Sequence, residues 1–224
     1  MPTPVPASVW LKTPSGLVDY RECWQAMQDF TAARTEHSPD QIWVLQHPSV
    51  FTLGHAGRPE HLLAPGSTPV IHVDRGGQIT WHGPGQCVVY LMLDLRRLGY
   101  GVRELVGRME RAVIATLSGY EIEARARADA PGVYVEGAKI ASLGLKVKRG
   151  RSYHGLALNV DCSLDDFARI NPCGYSGLAV TRMQDVLGQR CPAIETVGAE
   201  LVSQLGIALG FAQESIQPME WQHG

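Results

Sequence analysis

Short hydrophobic runs follow one another along most of this chain, and their order constrains the fold more than any other feature. Four of them, each typical of a β-strand, lie between residues 42 and 94, at 42–47, 49–54, 69–74 and 87–94. The stretch 132–161 reads as further strands, broken by turns at Gly137 and near Gly150. Because strands outnumber helices and do not alternate strictly with them, a Rossmann sheet is disfavoured. We predict an α/β protein of the α+β type, with helices packed on a mixed, mostly antiparallel sheet.

Three segments are predicted to be helices. The first has the three- and four-residue spacing of an amphipathic helix in four side chains, Tyr20, Trp24, Met27 and Phe30. The second is predicted from Val102 to Leu117, and the last from Ile194 to Leu209. Ser163 is followed three residues later by an aspartate, which is the spacing of a helix N-terminus, so a short helix should follow it.

The bulk composition is that of an ordinary globular protein. Of the 224 residues, 45% are hydrophobic and 19% are charged, so the chain can fill a core and disorder is not expected. The formal net charge of -2 argues against a protein that binds nucleic acid by bulk electrostatics. No linker divides the middle of the chain. We expect a single domain over residues 1–224, with a short proline-rich segment at 1–8.

The cysteines and the first residues bear on the compartment. Five cysteines without C-x-x-C spacing are an odd number, which favours free thiols in a reducing compartment over disulfides or a zinc site. The sequence MPTPVPASVWLKTP lacks the charged and apolar regions of a signal peptide, and the apolar run CVVYLMLDL is too short to span a bilayer. We therefore expect a cytoplasmic protein that binds neither membrane nor nucleic acid.

The segment DRGGQITWHGPGQ, residues 74–86, is rich in glycine and is bracketed by strand-like runs. It does not match a phosphate-binding loop, because it lacks the G-x-x-x-x-G-K-[ST] pattern and no helix is expected at its end. One interpretation is a wide hairpin whose glycines only satisfy turn geometry. The other is a small-molecule site, since Arg75, His82 and Gln86 stand beside glycines that let a ligand approach the backbone.

One cysteine and one lysine stand out for their sequence context. Cys173 lies between a proline and a glycine in INPCGYSGL, so it is expected on a bend and not in regular structure. Lys139 follows a small-residue turn and has small or apolar neighbours, as expected for a lysine that enters a cleft. A nearby ammonium lowers the pKa of a thiol from about 8.5 and makes it a better nucleophile at neutral pH. Sequence spacing does not show that the two residues meet.

Four motifs resemble, in their order along the chain, those of the lipoyl(octanoyl) transferase family: RGGQITWHGPGQ, GAKIASLG, YHGLALNVD and INPCGYSGLAVT. The resemblance runs from about His47 to Arg182, which is most of the chain. Members of this family transfer an octanoyl group from acyl carrier protein to a lysine of a lipoyl domain, the first step of endogenous protein lipoylation. The resemblance implies a fold like that of the catalytic domains of biotin and lipoate protein ligases. It implies no cofactor, no metal and no ATP.

The resemblance also assigns site residues. The acyl-thioester cysteine of the family corresponds to Cys173, and the lysine that lowers its pKa corresponds to Lys139. The substrate-binding segments of the family correspond to Arg75, Gly76, Gly77, Gln78, Ile79, Thr80, Trp81 and His82, to Ser142, Leu143 and Gly144, and to Gly155, Leu156 and Ala157. Two residues depart from the usual pattern: Trp81 stands where Tyr or Phe is more common, and Cys87 where an aliphatic residue is common. Trp81 bears on the width of the acyl pocket, and hence on the preferred chain length.

The partners that the resemblance implies are proteins. The donor is octanoyl-acyl carrier protein, and the acceptors are lipoyl domains of 2-oxoacid dehydrogenase complexes and the glycine cleavage H protein. The basic stretch KVKRGR, residues 146–151, is either a solvated hairpin turn or a surface that steers these acidic proteins.

Other functions account for these residues less completely. An ATP-dependent lipoate or biotin ligase needs a cationic phosphate site, which RGGQ matches poorly, and it has no use for a nucleophilic cysteine. A cysteine hydrolase would need a Cys-His pair with an orienting residue, which His154 and Asn159 could supply. A binding module without enzymatic activity leaves Cys173 and Lys139 unexplained. Zinc-ligand spacing is absent around three further histidines, which are expected to be structural: His47, His55 and His72.

Overall fold

A computed structural model describes residues 8–172 and 177–221. Its strands are, in chain order, β1 (Val9–Lys12), β2 (Asp40–Leu45), β3 (Val50–Leu53), β4 (Val70–His72), β5 (Ile79–His82), β6 (Gln86–Met92), β7 (Arg125–Ala126), β8 (Val133–Val135), β9 (Ala138–Lys148), β10 (Arg151–Asn159) and β11 (Ile216–Pro218). Its α-helices are α1 (Tyr20–Ala33), α2 (Leu95–Leu98), α3 (Val102–Ser118), α4 (Met183–Leu187) and α5 (Ile194–Leu209). Short 3-10 helices lie at Pro59–His61, Asp165–Arg169, Gly188–Arg190 and Gln213–Ser215. Within these described ranges, no helix combines the length and the apolar character needed to cross a membrane.

The strands form two sheets. The large sheet has eight strands in the order β11-β1-β2-β6-β10-β9-β8-β7, and the small sheet has three in the order β4-β3-β5. In the large sheet β1 pairs in parallel with β2 and β11, and the other neighbours are antiparallel. In the small sheet β3 is parallel to β4 and antiparallel to β5. The predicted mixed, mostly antiparallel sheet is therefore confirmed.

Helices cover both faces of the large sheet. Successive residues of a strand point to opposite faces, and on β6 both sets are apolar. Cys87, Val89 and Leu91 share a buried cluster with α3 and α5, whereas Val88 and Tyr90 share one with α1. A strand buried on both faces reads in sequence as a continuous hydrophobic run, and residues 87–94 form such a run.

Helix α1 begins at the site and covers one face of the sheet. The carboxylate of Asp19 accepts hydrogen bonds from the backbone N–H groups of Arg21 (2.8 Å) and Glu22 (3.1 Å), which caps the first turn. Cys23 and Met27 are fully buried against the sheet. The capping interaction fixes the first residue of α1, Tyr20, at the edge of the site described below.

The small sheet supports the chain segment that follows β10. Phe51 of β3 and Trp81 of β5 pack with Phe167 and Ile170, which belong to that segment. The backbone of Ile170 also pairs with Leu62, next to the 3-10 helix Pro59–His61. These contacts hold the chain in place up to Pro172, where the first described range ends.

Two predicted turns are confirmed as tight hairpins. Glu136 and Gly137 connect β8 to β9, and Arg149 and Gly150 connect β9 to β10. All four residues have positive φ, between 50° and 88°, as a type I′ turn requires. The long hairpin of β9 and β10 that results places its two strands beside β6.

The predicted short helix after Ser163 is corrected by the structure. The segment Asp165–Arg169 is a 3-10 helix, and the hydroxyl of Ser163 accepts a hydrogen bond from the N–H of Asp165 at 3.2 Å. The side chain of Ser163 therefore stabilises the turn from which the 3-10 helix begins. By contrast, α5 covers Ile194–Leu209, as predicted.

Candidate functional site

A cleft opens between the start of α1, the segment before and within β5, and strands β6, β9 and β10. Its cavity volume is about 50 Å³. Its lining residues are Tyr20, Arg75, Gly77, Gln78, Ile79, Thr80, His82, Val88, Tyr90, Ser142, Leu143, Gly144, His154, Gly155, Leu156 and Ala157. The structure thus brings together all of the predicted substrate-binding residues except Gly76 and Trp81.

The two predicted residues that do not line the cleft lie next to it. Trp81 is buried in the small-sheet cluster, where its indole N–H donates to Ser49 Oγ at 2.8 Å and its ring packs edge-on against Phe167. Its predicted effect on acyl-pocket width would therefore act through the position of β5. Gly76 donates its N–H to the carbonyl of Leu145 on β9 at 2.8 Å, which ties the loop before β5 to the opposite wall.

Hydrogen bonds of the Arg75 side chain stabilise the loop before β5. Its guanidinium donates to the carbonyl of Gly76 at 2.9 Å, and to the carbonyl and hydroxyl of Thr52 on β3, both at 2.8 Å. A Cβ at Gly54 would lie 2.7 Å from Arg75 Nη1, and one at Gly144 would lie 3.1 Å from Arg75 Cδ. Glycine at these two positions therefore gives the buried arginine its space.

Glycine is also required at position 155 because another atom lies too close for a side chain. A Cβ built there would lie 2.0 Å from the carbonyl oxygen of Val89 on β6, a distance that no side chain tolerates. The residue before it, His154, has a φ of 61°, in the left-handed region that favours glycine. This backbone geometry places His154 in the cleft wall, where the substrate-binding assignment from sequence had not included it.

Asp74 connects α1 and β10 around His154. Its carboxylate accepts hydrogen bonds from Trp24 Nε1 on α1 (3.0 Å), from His154 Nε2 on β10 (3.2 Å) and from the Tyr153 hydroxyl. Burial alone would raise the pKa of Asp74, but the hydrogen bonds from His154, Tyr153 and Trp24 outweigh it and hold the pKa well below its usual 3.8. Since a carboxylate only accepts, His154 carries its proton on Nε2.

The partners of His154 and Asn159 bear on the hydrolase alternative. His154 is oriented by Asp74, whereas the amide of Asn159 bonds Gln86 and the carbonyl of Thr181. The proposed orienting pair of a cysteine hydrolase is therefore not formed by the described residues.

A second group of aromatic and imidazole rings closes the inner end of the cleft. His47 is fully buried, with Nδ1 at 2.6 Å from the carbonyl of Val18 and Nε2 at 2.7 Å from the Tyr90 hydroxyl, as expected of a structural histidine. Burial lowers the pKa of His47 to about 4. Tyr20 stacks on His82 with ring centroids 5.7 Å apart. Burial, followed by the charges of His47, Arg75 and His154, holds the pKa of His82 well below 6.5.

Lys139 is buried at the start of β9, with 2% of its surface exposed. Its ammonium donates to the carbonyl of Pro131 at 3.1 Å and lies 5.3 Å from the centroid of the Tyr134 ring. A Cβ at Gly132 would lie 2.8 Å from Lys139 Cε, so glycine there leaves room for the lysine. The sequence-based expectation that Lys139 enters an enclosed site is consistent with this burial.

The backbone of Lys139 pairs with the segment after Cys173. Its N–H donates to the carbonyl of Ala179 at 2.8 Å, and its carbonyl accepts from the N–H of Thr181 at 3.0 Å, which forms a parallel bridge with Val180. Cys173 itself, with 174–176, lies outside the described residues. The described chain on the other side is held as well, since the N–H of Asn171 donates to the carbonyl of His61 at 2.8 Å.

The four described cysteines share one property. Burial raises the pKa of each thiol: to about 12 for Cys87 and Cys162, and in the same direction for Cys23 and Cys191. A buried, protonated thiol is a poor nucleophile. The three buried cysteines, Cys23, Cys87 and Cys162, are therefore suited to packing and not to catalysis.

Comparison with known sequences identifies relatives of this chain. The profile of the family described as "Lipoyl protein ligase A/B catalytic domain" matches residues 19–206. The octanoyltransferase of Stutzerimonas stutzeri is 60% identical over 199 residues, which cover 89% of this chain and 90% of that protein. The octanoyltransferase of Azotobacter vinelandii is 58% identical over 198 residues, with coverage of 88% and 90%.

Solved structures with the same fold are far more distant in sequence. A bipartite lipoate protein ligase from Thermoplasma acidophilum superposes with a TM-score of 0.76 at 13% identity, covering 97% of this chain and 88% of that one. The biotin protein ligase of Aquifex aeolicus superposes with a TM-score of 0.52 at 10% identity, with coverage of 92% and 69%. At such identities the likeness concerns the fold alone, and it agrees with the predicted fold of helices packed on a mixed, mostly antiparallel sheet.

Proposed function

This chain belongs to the family of lipoyl protein ligase A/B catalytic domains, and we propose that it is an octanoyltransferase that serves protein lipoylation. The observation that carries the proposal is the identity of 60% to an octanoyltransferase along nine-tenths of the chain. The cleft supports it, because the segments that resemble the substrate-binding motifs of the transferases meet there. We further propose octanoyl-acyl carrier protein as the donor and the lipoyl domains of 2-oxoacid dehydrogenase complexes and glycine cleavage H protein as acceptors.

The proposed reaction has two steps. The thiolate of Cys173 attacks the thioester carbonyl of the donor, a new C–S bond forms, and the carrier's thiolate leaves and takes a proton from the Lys139 ammonium. The neutral amine of the acceptor lysine then attacks the acyl-enzyme, the C–N bond forms as the amine passes one proton to Lys139, and the electron pair of the breaking C–S bond returns to Cys173. Exchange of one thioester for another is nearly isoenergetic and an amide is more stable, so neither step needs ATP.

Lys139 has a double role in this proposal. An ammonium about 4 Å from a thiolate contributes on the order of 4 kcal/mol at a surface-like dielectric, which opposes the cost of desolvating the thiolate. The same side chain can move protons when the acceptor amine attacks. The burial of Lys139, and the pairing of its backbone with the segment that follows Cys173, support this assignment.

The cleft offers apolar walls for the acyl chain. Ile79, Val88, Leu143 and Leu156 line it together with small residues. Burying the seven methylene and methyl groups of an octanoyl chain at ~0.8 kcal/mol each stabilises the bound acyl group by roughly 5–6 kcal/mol.

Intact-mass measurement after incubation with octanoyl-carrier protein tests the proposal. We expect the mass to increase by one octanoyl group without ATP, and the adduct to be lost in Cys173→Ala. Cys23→Ala and the half-buried Cys191→Ala are matched controls that should keep it. A full-strength adduct on Cys173→Ala would refute the assignment of the nucleophile, and no adduct on any variant or on the parent would refute the function.

A further inference from the structure

Two buried amide side chains connect a histidine of the cleft to the chain beside Lys139. His82 Nδ1 lies 2.7 Å from Gln86 Oε1, Gln86 Nε2 lies 2.9 Å from Asn159 Oδ1, and Asn159 Nδ2 lies 3.0 Å from the carbonyl oxygen of Thr181. His82, Gln86 and Asn159 are 6%, 1% and 3% exposed. We call Gln86 and Asn159 the amide relay. Octanoyl transfer as described above gives these two residues no role.

The carbonyl of Thr181, to which the relay is bonded at one end, determines the direction of every hydrogen bond in the relay. The Thr181 carbonyl can only accept, so the atom of Asn159 that faces it is the amide nitrogen, and the oxygen of Asn159 faces Gln86. Gln86 must therefore present its own nitrogen to Asn159, where that nitrogen also lies 3.4 Å from the carbonyl of Trp81. This leaves the oxygen of Gln86 facing His82.

The relay determines the protonation of His82. Because Gln86 Oε1 can only accept, His82 carries a proton on Nδ1. The ring is neutral, since burial and the facing groups His47, Arg75 and His154 oppose a second proton. A neutral imidazole protonated on Nδ1 bears a lone pair on Nε2. His82 therefore offers the cleft a hydrogen-bond acceptor.

The other end of the relay reaches the catalytic lysine. Thr181, whose carbonyl accepts from Asn159, donates its N–H to the carbonyl of Lys139 at 3.0 Å. Asn159 thus holds the segment that pairs with Lys139, and Gln86 couples that segment to His82. Buried polar networks in which every member is satisfied fix side-chain geometry more firmly than isolated pairs do.

We propose that the amide relay positions His82 as the neutral Nδ1–H tautomer, so that Nε2 accepts a hydrogen bond from the attacking lysine amine of the lipoyl domain. The proposal rests on the proposed octanoyl transfer. A ring with so low a basicity orients the N–H of the amine and does not retain its proton, which leaves proton removal to Lys139. His82 is then the residue that contacts the substrate, and Gln86 and Asn159 are positioning residues.

The tautomer can be measured without reference to activity. Nitrogen-15 NMR of protein labelled in its histidines distinguishes Nδ1–H, Nε2–H and doubly protonated rings, and His82→Gln identifies the signals of His82. We expect neutral Nδ1–H in the parent between pH 6 and pH 8, and an altered tautomer population in Gln86→Met. Gln41→Met is the matched control, because Gln41 is equally buried but accepts its hydrogen bond from Trp43 Nε1. An Nε2–H or doubly protonated His82 in the parent would overturn the proposal.

Separate measurement of the two half-reactions tests the role of the amide relay in transfer to the acceptor. Acylation by octanoyl-carrier protein involves no amine, so Gln86→Met should lose much less in acyl-enzyme formation than in transfer. Transfer from the acyl-enzyme to a lipoyl domain should fall about ten- to a hundredfold, as expected for a misplaced reacting group. Equal losses in both half-reactions would indicate a general packing defect, and no loss in transfer would show that the relay has no role; either result overturns the inference.

A second variant covers the case in which Gln86→Met folds poorly. Gln86→Glu keeps the acceptor for His82 Nδ1–H but cannot donate to Asn159, and its charge raises the pKa of His82. Transfer in this variant should decline as the pH falls from 8 to 6, because Nε2 becomes protonated, whereas acylation should not acquire this decline. A transfer profile parallel to the parent's would overturn the proposal. Failure of the parent to form any acyl-enzyme would instead refute the proposed function, and the NMR result would still decide the tautomer.

Discussion

Lys139 combines a charge with almost complete burial, and this combination has a chemical consequence. Its ammonium has lost its water, which is costly unless fixed partners compensate. The Pro131 carbonyl and the face of Tyr134 supply part of that compensation. A cation buried in a low-dielectric environment acts strongly on a neighbouring anion, as the proposed role of Lys139 toward a thiolate requires.

The first prediction separates the charge of Lys139 from its ability to lose a proton. Lys139→Met keeps the length of the side chain without the charge, and the alkylation rate of Cys173 by iodoacetamide at pH 7 should fall about tenfold or more, as its pKa rises toward about 8.5. Lys139→Arg should keep part of that reactivity but fail in transfer to the acceptor, because arginine does not deprotonate near neutral pH. Lys146→Met, on the same strand, is the control. Alkylation of Lys139→Met at the parent rate would show that the two residues are not coupled.

The second prediction concerns the hydrogen bonds that converge on Asp74. Its pKa is lowered in the folded state, so the stabilisation is present above the unfolded-state pKa of about 4 and is lost as the pH falls through the folded-state pKa. Asp74→Asn should therefore lower the free energy of unfolding by about 1–2 kcal/mol at pH 7, with some screening because the carboxylate is partly exposed. Urea unfolding at pH 7 and pH 3 should show this difference shrinking at the lower pH. For the exposed Asp29→Asn we expect a small difference at both pH values. A difference for Asp74→Asn that is unchanged at pH 3 would contradict the linkage.

Among the secondary-structure elements, those that depend on a few neighbouring residues are predictable from the sequence. The helix α5 and the turns at Gly137 and Gly150 follow from side-chain periodicity and from φ preferences within a few residues, and both predictions held. Strands β1 and β11 were missed, because each has three or four residues and exists through pairing between positions as distant as Val9 and Ile216. Strand β5 was hidden in the glycine-rich segment, since all four of its residues are buried and no alternation is visible.

The site shows the same division between local and long-range information. The motif residues on β5, β9 and β10 were assigned by resemblance, and the cleft contains nearly all of them. Tyr20, Asp74, Tyr90 and His154 were not assigned, although they complete the walls and the hydrogen bonds around them. No sequence pattern links α1 to β6 or to β10; only the packing of α1 on the sheet does. The positive φ of His154 depends likewise on the approach of Gly155 to Val89.

The hairpin of β9 and β10 carries the third prediction. Lys148 and Arg149 are exposed at its tip, whereas Arg151 pairs with Asp94 at 3.4 Å. Lys148 lies four residues along β9 from the cleft residue Gly144, or about 13 Å at the usual rise per residue. The tip is therefore close enough to the mouth to meet an acidic carrier protein, and we propose that it steers docking.

Charge reversal at the tip tests this proposal. Lys148→Glu with Arg149→Asp should raise the KM for octanoyl-carrier protein several-fold at low salt and weaken its salt dependence, with kcat nearly unchanged. The matched control is Arg103→Glu with Arg125→Glu, the same change in net charge at exposed positions on α3 and on the edge strand β7. Equal KM values for the two double variants would assign the tip to a solvated turn without a docking role.

For the whole molecule, the fold does not determine the reaction. A lipoate–protein ligase A bound with ATP superposes on this chain with a TM-score of 0.76 at 13% identity, so the same architecture accommodates a nucleotide in another protein. In this chain the guanidinium of Arg75 is engaged by the Thr52 backbone and side chain and by Gly76, within the loop that borders the cleft. Arg75 thus serves the architecture of the loop, which fits a site that receives an already activated acyl group.

The last prediction distinguishes an octanoyltransferase from an ATP-dependent ligase. A ligand present at a hundred times its Kd stabilises a folded protein by about 2.7 kcal/mol, which for a chain of this length raises Tm by roughly 5–10 °C. We expect Mg-ATP at about 1 mM to shift Tm by less than about 1 °C. If the octanoyl chain occupies the cleft as proposed, acylation by octanoyl-carrier protein should raise Tm by several degrees, and Cys173→Ala, which lacks the proposed nucleophile, should show no such rise. A shift of several degrees with Mg-ATP, together with product formed from free octanoate only when ATP is present, would establish a ligase in place of the transferase.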